Sequence, residues 1–362
     1  MPSQTVADVE HLYSAINEVA NEGATITLAP GTYVLSATDG GGGDRPNKGR
    51  LELQRDMSLH GVTGDHSAVV IDATGLPELS LSLPQPNQPT NRTAPVRIGR
   101  GVNAIEWLTV VGATGAAAGI ATDLDGITNT RIRVAHVVLS GASRGVDVRN
   151  AGTANAGRRI DAHIEENEFI GPMTGAANGI RLANFPGANG GVVVATMSGN
   201  RTHGFQMGCL IGNNRASNAT VEVRSSGDRF FANGLGCFVM GGQGTTAENA
   251  NSNSTSFEAR GSEFVDNTAA LGTDRGGIFV IGGTSTSENA ASHNTVSVEL
   301  IGSKVSGNTA AEFQAFGARK GTTEGPAGTD NHVTIELKGV SKQLDVMTPS
   351  APNGTNTVTV IR

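Results

Sequence analysis

From residue 24 onward the chain is built of short runs in which apolar residues alternate with polar ones: Ile26 to Leu28, Tyr33 to Leu35, Leu51 to Leu53, Val69 to Ile71, Val96 to Ile98 and Ile105 to Val111. A period of two belongs to strands with one buried face, and Gly, Asn and Ser between the runs mark turns. Further along, one unit returns. The stretch from Thr220-Val-Glu-Val223 to Gly236-Cys-Phe-Val-Met240 is matched by the one from Thr255-Ser-Phe257 to Gly277-Ile-Phe-Val-Ile281. Aligning Ile160, Val192, Val221, Thr255, Val296 and Val333 gives successive spacings of 32, 29, 34, 41 and 37 residues. An irregular period of this size predicts a stacked solenoid.

Residues 5 to 22 differ, with Val6, Val9, Leu12, Ile16 and Val19 at helical spacing, Thr5 and Asp8 placed like a capping box, and Gly23 as the stop. A helix there covers the open first layer, whose backbone edge would otherwise recruit other strands. Residues 1–23 are thus read as a cap and 24–362 as one repeat domain. Gly40 to Gly43 and Leu83 to Ala94 interrupt the rhythm as excursions, because strand material resumes on both sides.

The opening Gly23-Ala-Thr-Ile-Thr-Leu-Ala-Pro-Gly-Thr-Tyr-Val34, the segment from Ser58-Leu-His-Gly61 to Val70-Ile-Asp72 and the later Asn-turn strands resemble the pectate-lyase-like superfamily. The resemblance implies an all-β fold, a single-stranded right-handed parallel β-helix of roughly ten coils behind the capping helix. It also implies export to a secreted or periplasmic location, although the N-terminus lacks the charged and apolar regions of a signal peptide. The superfamily spans lyases, hydrolases, epimerases and modules with no known activity, so the fold alone does not choose a reaction. Neither the polygalacturonase motif set nor the Arg-x-Pro-x-x-Arg of pectate lyases is present; Asp123-Leu-Asp-Gly126 echoes the former without its partners.

The best-aligned strands each follow a glycine: Gly119, Gly145, Gly179, Gly208, Gly236 and Gly277. Alternation turns Ile120, Val146, Ile180, Cys209, Cys237 and Ile278 inward, with Thr122, Val148, Leu182, Ile211, Val239 and Val280 as the next inward file. The residues between them face out. Asp123, Asp147, Arg149 and Arg181 then share one patch, and below it runs a stripe of Leu210, Phe238, Met240, Phe279 and Ile281.

Carboxylates and guanidiniums beside apolar faces suit an extended sugar chain. A polyuronide lyase would use an arginine to abstract the C5 proton, whereas a hydrolase would use two carboxylates. Asp123, Asp147, Arg149 and Arg181 are the candidate catalytic residues for either, with Leu210, Phe238, Met240 and Phe279 as substrate-binding residues. Arg181→Ala and Asp147→Asn are expected to abolish turnover with little change in melting temperature. The rival reading is a non-catalytic binding or structural module that self-associates as a homo-oligomer through the apolar stripe. Three similar loops add Glu248, Glu288 and Glu324, which a hard cation such as Ca²⁺ would bridge if they converge; otherwise they are solvated loop acids.

Composition narrows the partners. With 50 Gly and only 4% aromatic residues in 362, the chain fills thin layers more readily than a wide globular core. Its net charge of -7 disfavours nucleic acid, and no apolar run is long enough to span a membrane. Cys209 and Cys237, the only cysteines, occupy the same repeat position and read as small buried core residues. His163 is expected to face solvent, and His203 to overhang the groove.

Overall fold

Strands whose inner faces carry one or two β-branched or aromatic side chains bury them only by stacking on similar neighbours, and the described strands of this chain do so. The computed structural model describes residues 3–77, 93–113, 118–122, 129–172, 178–245, 247–268, 276–285, 290–309, 311–320, 328–340, 346–347 and 355–362. All strand pairings within its two sheets, one of 19 strands and one of ten, are parallel, as the right-handed parallel β-helix requires.

The ten-stranded sheet follows the glycine alignment. Ile120, Val146, Ile180, Cys209, Cys237, Ile278 and Phe313 are successive register partners, and all are buried. A Cβ on Gly208 would lie 2.7 Å from the Gly236 carbonyl oxygen and 3.0 Å from the Phe230 ring, so the strand enters the stack only without a side chain there. Inside, Phe230 and Phe264 stack with centroids 5.2 Å apart.

On the long sheet, Ile160 pairs with Val193, not Val192, and the file continues through Val221, Thr255, Val296 and Val333. Val192, Val193 and Val194 are all apolar, so alternation is silent on which faces the lumen. His163 is exposed as expected. His203 lies on this sheet, stacked on Phe231 at 4.8 Å, and not over the other sheet's groove.

The turn asparagines form ladders. Asn233, Asn267 and Asn308 make one, Asn167 and Asn200 another that ends on Asp228, and Asn253, Asn294, Asn331 and Asn356 a third. Each side-chain oxygen accepts from the amide of the coil before it, so the turns carry their own hydrogen bonds through the interior.

At the N-terminus the capping helix is Val9–Asn17, shorter than expected, with Asp8 as its N-cap accepting from the His11 amide at 2.9 Å. Ser3–Val6 is a strand paired with Thr25–Leu28, so Thr5 caps nothing and Val6 enters the core from the sheet. Leu12, Tyr13, Ala15 and Ile16 cover the first layer, whereas Val19 lies past the helix end and is 76% exposed.

Cys209 and Cys237 are free, buried register partners, and burial pushes the Cys209 thiol well above its ordinary pKa. Neither should react with a thiol-specific disulfide reagent in the native protein, and both should react within minutes in denaturant. Fast labelling of the folded chain would contradict their place in the lumen.

Candidate functional site

The outer face of the ten-stranded sheet carries one file of register partners: Glu52, Arg97, Ala121, Asp147, Arg181, Leu210, Phe238 and Phe279. A second file runs through Arg149, Ala183, Gly212, Met240, Ile281 and Phe316. The sequence-derived patch is therefore assembled on one face for Asp147, Arg149 and Arg181; Asp123 lies outside the described residues. Among the described residues the patch is not an open groove. Asp147 is fully buried, and Arg149 and Arg181 are 5% and 6% exposed.

Arg181 Nε donates to Asp147 Oδ1 at 2.7 Å and its Nη2 donates to Oδ2, a bidentate pair, while Arg149 Nε stands 3.6 Å from Oδ2. The Phe185 ring lies over both guanidiniums, 4.6 Å from Arg181 and 5.2 Å from Arg149. Arg144 joins the group. A Cβ at Gly145 would strike the core ring of Phe169, so position 145 faces the lumen and the residue before it is free to turn outward.

Three guanidiniums around one carboxylate set unusual electrostatics. Burial alone would raise the pKa of Asp147, but Arg181, Arg149 and Arg144 outweigh it and hold it at about 2. Burial pushes Arg149 down to about 9, assisted by Arg181 and Arg144 and opposed by Asp147. Arg144 falls to about 10, through burial and then Arg181. Asp147 thus keeps its charge at any ordinary pH and has no proton to give. Arg149 has capacity in hand, because its Nε and Nη2 are buried with no hydrogen-bond partner among the described residues.

The apolar stripe is a small core of its own. Met240, Phe279, Ile281 and Leu235 are buried, with Met207, Leu210, Phe238 and Phe316 packed on them half-buried. Side chains already sheltered within the chain offer no open bed for a sugar, so Met240 and Phe279 depart from the binding role expected of them. Leu210 and Phe238 keep part of their surface.

Of the loop acids, Glu248 lies 3.3 Å from Arg215, whereas Glu288 and Glu324 lie outside the described residues. Among the described residues no three His, Cys, Asp or Glu side chains converge as metal ligands, and no helix is long and apolar enough to cross a membrane.

Sequence reasoning missed Glu52 and Arg97, which begin the outward file and are joined by a 2.5 Å contact from Arg97 Nη1 to Glu52 Oε2. Their signal was a charge between two apolar residues in Leu51-Glu52-Leu53 and Val96-Arg97-Ile98. Arg144 carried no such signal, since alternation alone turns it inward. Phe185 follows its strand and lies beyond the reach of alternation.

No family model and no curated protein matches this chain. Among solved structures it is similar to the A-modules of the Azotobacter vinelandii mannuronan C-5 epimerases AlgE4 and AlgE6. The first is 14% identical with a TM-score of 0.46, covering 97% of this chain and all of that one; the second is 16% identical with a TM-score of 0.40, covering 98% and 94%. ORF18 of Geobacillus virus E2 is 10% identical with a TM-score of 0.35, covering 97% and 56%. Likeness at this level carries no argument about activity, and the fold rests on the strand registers themselves.

Proposed function

We propose that the chain acts on an acidic glycan whose uronate carboxylate displaces the Phe185 ring from the guanidiniums it covers and is then held by Arg149, Arg144 and Arg181. The observation that supports this reading is the unspent hydrogen-bonding capacity of Arg149 in a cluster where, among the described residues, Arg181, Arg149 and Arg144 face the one buried carboxylate of Asp147. A carboxylate meets both needs, giving Arg149 acceptors and reducing the surplus charge.

Chemistry beside such a carboxylate favours proton abstraction over hydrolysis. Hydrolysis needs one carboxylic acid that is protonated near neutrality, and Asp147 is held ionised. In elimination solvent water takes the C5 proton, whose acidity the bound carboxylate raises, the C4–O bond breaks, and its electrons leave with the glycosidic oxygen, which collects a proton from solvent. Arg181 and Arg144 hold the carboxylate while charge builds on it. Asp147 orients the guanidiniums and does not react.

Incubation with polygalacturonate and polymannuronate, followed by ultraviolet absorbance and reducing ends, tests this. The expected result is an unsaturated product, lost at least 100-fold in Arg149→Lys, which keeps a charge but not the planar fork. Reducing ends without unsaturation would replace elimination by hydrolysis, and turnover of neutral glycans alone would overturn the acidic substrate.

A further inference from the structure

One corner of the long sheet departs from its own rule. Between the two straight parts of each coil a residue adopts the left-handed conformation, and register places eight of them in one file: Trp107, His136, Glu166, Gly199, Gly227, Gly261, Gly302 and Gly339. Five are glycine, as φ values of 56° to 65° favour. The first three are not. Trp107, His136 and Glu166 sit at φ 58°, 55° and 51°, and a bulky aromatic there is an outlier that glycine would relieve.

The strained side chains touch one another. The Trp107 and His136 rings stack at 3.7 Å and 14°, and His136 Nδ1 lies 3.1 Å from Glu166 Oε2. Around them, Arg133 is clamped between Glu106 and Glu165, and His60 Nε2 stands 3.3 Å from Glu106 while its Nδ1 donates to the Gly61 carbonyl. On the side of Trp107 away from His136 the register neighbour is Gly61, where a Cβ would come within 1.8 Å of the Trp107 carbonyl oxygen, so that coil brings no side chain to this position. Trp107 is half-buried and Glu166 is exposed.

We infer that this corner is a second carbohydrate contact, taking a neutral sugar ring against Trp107 with its hydroxyls on Glu166 and His136. An indole supplies the flat apolar face on which the C–H side of a pyranose lies, and the carboxylate and imidazole supply hydrogen-bonding groups beside it. Neutral charge follows from the surroundings. Glu106, Glu165 and Glu166 outnumber Arg133, which both neighbouring carboxylates already occupy, so a uronate is repelled here while the arginine cluster of the other sheet attracts one. The two sites are independent in residues and in the charge they select.

Trp107 is the only tryptophan of the chain, so its emission reports on this corner alone. Neutral hexasaccharides of β-1,4-linked glucose, mannose and xylose, hexagalacturonate and a glucosamine hexamer are titrated against the whole protein while emission is recorded, with calorimetry for variants that lack the indole. At least one neutral hexamer should shift the emission saturably and bind at least tenfold more tightly than the acidic or amino hexamer. Trp107→Gly should abolish that binding and Glu166→Gly weaken it at least threefold, with both proteins folded because glycine suits the backbone. Arg149→Lys should leave this titration unchanged, which separates it from the fate of the acidic-glycan reading. The proposal fails if no neutral hexamer perturbs Trp107, if a charged hexamer binds more tightly, or if Trp107→Gly binds like the parent.

Discussion

Asp147→Ala is expected to destabilise the protein by about 3–5 kcal/mol, the loss that follows when one partner of a buried ion pair is removed and the others stay behind. The carboxylate is fully buried and faces Arg181, Arg149 and Arg144, so its deletion takes from the buried Arg181 and Arg149 the carboxylate they face in a low-dielectric space. Arg181→Ala should cost less, because Asp147 keeps Arg149 at 3.6 Å and Arg144 nearby. The order matters more than either value. Denaturant midpoints for the two variants and the double variant give both the ranking and the coupling between the residues. An Asp147→Ala protein within about 1 kcal/mol of the parent would mean the cluster is open to water, and the buried site would have to be abandoned.

That expectation reverses one drawn from the sequence, in which substitutions at Asp147 and Arg181 spared stability, and the reason shows what a sequence can disclose. Alternation after Gly145 and Gly179 correctly turns Asp147 and Arg181 to the same outer side of neighbouring coils, because side-chain direction in a strand follows from backbone geometry alone. Burial of that outer side does not follow from it. Phe185 covers the guanidiniums from beyond the end of Asn178–Asn184, at a place fixed by a turn. The same limit applies to Met240 and Phe279, whose outward direction was legible and whose shelter was not. Where apolar residues run together, as at Val192 to Val194, even direction is lost, and the register slips by one. The strained corner left a different trace: five glycines recur at one repeat position from Gly199 to Gly339, and their lack at Trp107, His136 and Glu166 is visible only once the coils are aligned.

Asp228→Asn should stabilise the protein by about 3 kcal/mol at pH 7 and by almost nothing at pH 4. Asp228 stands at the end of the ladder that begins Asn167 and Asn200, where its Oδ1 accepts from the Asn200 backbone and side-chain amides at 2.8 Å and its Oδ2 accepts from Ser225 Oγ at 2.6 Å. Burial raises its pKa to about 6 from an ordinary 3.8, since these hydrogen bonds only partly offset the loss of water. A carboxyl that holds its proton more tightly when folded contributes stability in full below pH 3.8 and loses it as pH rises to about 6; the difference in pKa corresponds to about 3 kcal/mol. Asparagine keeps the oxygen that Asn200 needs and carries no charge to desolvate. Its amide group can donate to Ser225 Oγ, whose own hydroxyl turns to Ser262 Oγ, 2.9 Å away. Urea midpoints of both proteins at pH 4, 5, 6 and 7 should diverge steadily up to pH 6 and run parallel above it. Curves that stay parallel throughout would show that Asp228 is already satisfied as an anion, and that the change from Asn to Asp along this ladder carries no cost.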